Sequence, residues 1–91
     1  VVDADGNFWN AQWGAGRVAA YAPDGSFLSA LHAPAAHTSC PAFGGPDLTT
    51  LFCTSALQDI SDADRKMSDA NGLTFAAAGV AKGQAEHRVR L

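Results

Sequence analysis

An all-β fold is predicted, made of two successive rounds of short antiparallel strands. Short apolar, aromatic or β-branched runs alternate with turns that nearly all carry glycine. Phe8-Trp9 and Leu51-Phe52 hold equivalent places in the two rounds, 43 positions apart. A period of roughly 40–45 residues holding four strands is the size of one propeller blade. The 91 residues are 47% apolar with nine glycines and four prolines, which suits a turn-rich globular chain rather than a disordered one.

The elements follow in order. Val1-Val2-Asp3 reads as the interior of a strand, so the start of the chain is taken as a truncation. Asp3-Ala4-Asp5-Gly6-Asn7 is a turn, since Asp and Asn bond their own backbone and Gly permits positive φ. Phe8 to Trp13 is an aromatic-rich strand, Gly14-Ala15-Gly16 a turn, and Arg17 to Ala22 a strand. Ala22-Pro23-Asp24-Gly25-Ser26 turns the chain again, and Phe27 to Leu31 completes the first round. Residues 1–33 thus form a first four-stranded blade and residues 37–91 a second. In the second, strands are expected at Thr38 to Phe43, Thr49 to Ser55, Leu73 to Ala78 and Glu86 to Leu91. Gly16 and Gly72 hold equivalent places, separated by a longer insertion in the second round. That insertion is the one helical candidate, near residues 61–70. Ser61-Asp62-Ala63-Asp64 resembles a capping box, Arg65 and Lys66 suit the other end of the dipole, and Asn71-Gly72 is a stop. Trp9, Trp13, Phe8, Phe43, Leu51 and Phe52 are expected to fill the space between blades.

A net charge of −3 gives no attraction for nucleic acid or an anionic membrane. No apolar run approaches a membrane span. Cys40 and Cys53 lack CxxC spacing and read as two small buried thiols; a cross-strand disulfide requires that they face each other.

The ordered segments resemble those of the SMP-30/gluconolactonase/regucalcin family. They are Val2-Asp3-Ala4-Asp5-Gly6-Asn7-Phe8-Trp9, Gly14-Ala15-Gly16-Arg17-Val18, Tyr21-Ala22-Pro23-Asp24-Gly25, Thr38-Ser39-Cys40-Pro41-Ala42-Phe43-Gly44-Gly45 and Leu51-Phe52-Cys53-Thr54-Ser55. Gly72-Leu73-Thr74-Phe75 matches more loosely, and Gly83 to Arg88 resembles the family's ending. The resemblance implies the C-terminal blades of a six-bladed β-propeller. It also implies a whole protein that hydrolyses sugar lactones with a divalent metal, calcium or zinc, in a central channel. The family's metal ligands are a Glu, an Asn and the Asp of a Pro-Asp-Gly triplet; that triplet lies about five residues before the position of Asp3, upstream of this chain. No catalytic residue and no metal ligand is therefore carried over. The segment alone is expected to bind no metal and to be inactive.

In the family the stretch from His37 enters an innermost strand, so His37, Thr38 and Ser39 are the substrate-pocket candidates. Ser39 and Cys40 lack a base at any recognisable spacing for nucleophilic catalysis. Asp3 and Asp5 do not make a calcium loop, because Gly6 stands fourth from Asp3 and Gly14 occupies the twelfth position. They read as a hairpin turn. His32 and His87 have no partner at metal-ligand spacing, and Arg88 and Arg90 read as the wet face of an outer strand. Trp9 and Trp13 share one face of a strand, for blade packing or for stacking on a sugar. The expected partners are a sugar lactone and the remaining blades, in a cytoplasmic protein. The alternative is a non-catalytic propeller module, possible also as a ring of three copies.

Overall fold

The computed structural model describes residues 1–58, 60–63 and 70–84. Six strands form two three-stranded antiparallel sheets, each a simple meander. The first joins β1 (Phe8–Gln12), β2 (Arg17–Tyr21) and β3 (Phe27–His32); the second joins β4 (Thr38–Gly44), β5 (Thr50–Ser55) and β6 (Thr74–Ala78). Val1 and Val2 stand where a fourth strand of the first sheet would run. The Val1 amine and carbonyl bond the carbonyl and amide of Trp9, and Val2 bridges Phe8. The expected strand at Glu86 to Leu91, with His87, Arg88 and Arg90, lies outside the described residues. Asp62 and Ala63 are helical at the expected place; residues 64–69 of the expected helix also lie outside the described residues.

Alternation decides the core. Trp9, Val18, Ala20 and Leu31 point from the first sheet toward the second, where Phe43, Leu51 and Cys53 meet them. Trp9 meets the edge of the Phe43 ring at 6.0 Å. Of the six residues expected between blades, Trp9 and Leu51 are buried and Phe43 is partly so. Phe8, Trp13 and Phe52 are exposed at 46%, 48% and 39%, which corrects the expectation. Phe8 and Phe52 each neighbour a buried residue in sequence, so the pleat turns them to the opposite, uncovered face. Alanines at 19, 20 and 35 take up core positions instead.

The pleat separates the cysteines as well. Cys53 pairs with Pro41 while Cys40 pairs with Thr54, so the two thiols occupy opposite faces. Both are free, and Cys40 is exposed rather than buried as expected.

The connections gather at two ends. At one lie the turns 3–7, 22–26 and 45–49 and the segment 79–84. There Ala4 donates to the Lys82 carbonyl, Asp3 bridges Gly83, and Gly83 donates to Leu48. Gly83 is required at that crossing: a Cβ would stand 2.3 Å from the Phe43 Cβ. At the other end lie the turn 13–16, the connection 33–37 and residues 56–58, just after β5. Amides of Gly14 and Gly16 both donate to the Ala36 carbonyl, and Ala56 donates to His37.

Candidate functional site

The candidate site residues collect at this second end. Thr38 is the first residue of β4 and is fully buried. Its Oγ1 lies 2.9 Å from the Gln12 carbonyl and 3.1 Å from the Arg17 carbonyl, tying the second sheet to the end of β1 and the start of β2. A β-bulge makes this possible. Thr38 pairs with Ser55 and Cys40 with Thr54, leaving Ser39 as the extra residue. Thr38 thereby faces the first sheet, while Cys40 and Ala42 further along β4 face away. Ser39 is exposed, its Oγ 2.8 Å from Thr54 Oγ1.

His37 precedes the bulge. Its Nδ1 lies 2.7 Å from the Gln58 carbonyl, which can only accept, so Nδ1 carries a proton and donates. In the neutral ring Nε2 is then an acceptor. The imidazole stacks on Trp13, with centroids 4.3 Å apart and planes 22° from parallel. Trp13 also bridges His37 through its backbone. The structure thus joins to the predicted stretch a residue from the first blade.

Trp9 and Trp13, expected on one strand face, differ in environment: Trp9 lies within β1, and Trp13 lies just past its end, bridged to His37. The Trp9 indole is buried, and Nε1 donates to Asp3 Oδ2 at 2.9 Å. The other Asp3 oxygen accepts from the amides of Asp5 and Asn7, both at 2.9 Å. Asp3 is therefore the brace of its turn. Burial pushes its pKa up, but the bonds from Trp9, Asn7 and Asp5 outweigh that and hold it below the usual carboxylate value. Among the described residues no group of three or more His, Cys, Asp or Glu side chains could hold a metal ion. The described residues alone therefore do not fit a metal centre.

A separate cleft of about 220 Å³ opens between the sheets near β3 and β6, lined by Val18, Leu31, Leu51, Phe75 and Ala77. Its walls are mainly apolar, without the convergent polar groups of a sugar site.

The family model of the SMP-30/Gluconolactonase/LRE-like region matches residues 1–57. The chain belongs to this family. A Rhizobium meliloti protein assigned as a sugar lactone lactonase is 44% identical over 91 residues, covering 100% of this chain and 31% of that protein. The pentonolactonase of Haloferax volcanii is 36% identical over 92 residues, covering 97% of this chain and 32% of its own. Among solved structures, a regucalcin of Agrobacterium tumefaciens, a calcium-binding protein, superposes with a TM-score of 0.95 at 41% identity. That match covers 100% of this chain and 31% of the regucalcin. The two sheets of this SMP-30/gluconolactonase-family chain are accordingly propeller blades, and the chain spans about a third of the length of the relatives it matches. No helix among the described residues is long and apolar enough to cross a membrane.

Proposed function

We infer that this chain supplies the closing blades and one wall of the substrate pocket in a metal-dependent sugar-lactone hydrolase, and that it is inactive alone. The wall is His37, Thr38 and Ser39, with Thr38 fixing its position through the Gln12 and Arg17 carbonyls. The observation that carries the reading is the register at the chain's beginning. Val2 opposes Phe8 antiparallel. A strand continuing upstream in that register would bring a position about five residues before Asp3 opposite Gln12, beside Thr38. The aspartate of the family's Pro-Asp-Gly triplet would thus enter at the same end as His37. The divalent ion, calcium or zinc, belongs to such upstream residues in this reading, and no step passes through the side chains described above. The substrate is a sugar lactone, the remaining blades are the structural partners, and the setting is cytoplasmic.

The test is an assay of the purified 91-residue chain. With gluconolactone and added calcium or zinc, no turnover above the spontaneous rate is expected; metal-stimulated turnover contradicts the reading.

A further inference from the structure

Trp13 is the exposed aromatic at the end where the candidate residues meet. Trp13, just beyond the end of β1, is 48% exposed, whereas Trp9 within the strand is 5% exposed. Its position is nonetheless held by its neighbours. One ring face lies against His37, the backbone bridges His37, and the following Gly14 and Gly16 amides are tied to Ala36. His37 is in turn held by Gln58, and Thr38 by the Gln12 and Arg17 carbonyls on either side of the turn. Among the described residues the Trp13 Nε1 has no hydrogen-bond partner, whereas Trp9 Nε1 is taken by Asp3. A half-exposed indole, stiffly backed and with a free N–H, has the properties of a ligand surface rather than a core residue.

The polar groups around it favour a carbohydrate. An apolar face with a few fixed donors and acceptors suits a sugar ring, whose C–H face is apolar and whose rim carries hydroxyls. Trp13 Nε1 donates and His37 Nε2 accepts, so the rim of the platform offers both functions. We propose that the open face of Trp13, backed by His37, is a stacking platform for the ring of a cyclic sugar ester, with His37 Nε2 accepting from one of its hydroxyls. This rests on the reading of the chain as the pocket wall of a lactone hydrolase and adds to it the surface that orients the substrate ring.

The probe is D-glucono-δ-lactam, a non-hydrolysable ring analogue, titrated into the isotopically labelled 91-residue chain and followed by NMR. The Trp13 indole and His37 ring signals should shift with saturation at ligand concentrations on the order of millimolar, as befits a single wall of a pocket. Acyclic D-glucitol should leave them in place. Trp13→Ala should weaken binding about tenfold or more, and Trp13→Phe should restore most of it. The Trp9 indole proton, bonded to Asp3, reports in every variant whether the fold is intact; where Trp13→Ala unfolds the chain, His37→Ala and Trp13→Phe carry the comparison. Lactam that leaves the Trp13 ring unmoved overturns the platform, as does an equal response to glucitol. Shifts confined to the amides of His37 to Ser39 would overturn the platform while leaving the wall in place. A Trp13 response to the lactam, together with a chain that, grafted into a lactonase, folds but restores no hydrolysis, would keep the platform and overturn the wall.

Discussion

The Trp9 indole donates to the Asp3 carboxylate at 2.9 Å, joining the first turn to the centre of the core. Three donors converge on that carboxylate, two of them backbone amides of the turn itself. Asp3→Ala leaves all three without their acceptor, and Trp9 Nε1 is buried when it loses its partner. A loss of about 3 kcal/mol is expected, and about 1 kcal/mol for Asp3→Asn, which keeps one acceptor oxygen. Urea titration monitored by Trp fluorescence measures both; equal stability of wild type and Asp3→Ala contradicts the role given to Asp3.

The same carboxylate sets an acid limit. Its folded pKa lies below the ordinary value of 3.8, so the folded state binds this proton less readily than the unfolded chain. Asp3 therefore contributes stability fully above its unfolded pKa and loses it as pH falls through its folded pKa. Asp24 is also lowered, chiefly by bonds from Ser26, but it is exposed and contributes little. Stability measured from pH 6 to pH 2 should fall below about pH 4 in the wild type and fall less in Asp3→Asn. Parallel profiles would show that Asp3 does not couple to folding.

Thr38 holds the two blades together where the proposed wall begins. Thr38→Val preserves the shape but removes the hydroxyl that reaches the Gln12 and Arg17 carbonyls. A loss of about 1–2 kcal/mol is expected, since the partly buried Gln12 and Arg17 carbonyls lose that donor. The Trp13 and His37 ring signals should broaden or move in the same variant, because the stack spans the same junction. Unchanged stability and unchanged ring signals contradict this account.

Much of this was legible in the sequence, for identifiable reasons. Turns with Asp, Asn and Gly, such as Asp3 to Asn7, announce themselves through local chemistry, and strands β1 to β6 fall where the turn signals bound them. The exposure of Phe8 and Phe52 was missed because each was read as a large aromatic alone; the polar residues on the same strand faces, Asn10 and Gln12 in β1 and Thr50 and Thr54 in β5, mark those faces as the outer ones. The two tryptophans share a face in sequence; only three-dimensional neighbours separate a core indole bonded to Asp3 from an exposed one stacked on His37. The inward turn of Thr38 was hidden as well. It depends on the bulge at Ser39, and a bulge reverses alternation without any marking Gly or Pro at that residue.

The most direct test of the central claim is a graft. The 91-residue chain replaces the matching segment of the Haloferax volcanii pentonolactonase, 36% identical over 92 residues, and hydrolysis of a pentonolactone is measured under that enzyme's own conditions. If the chain supplies closing blades and a competent pocket wall, the chimera hydrolyses lactone to within about a hundredfold of the unaltered enzyme. A chimera that folds, shown by an unchanged circular dichroism spectrum, yet hydrolyses no lactone would contradict the claim.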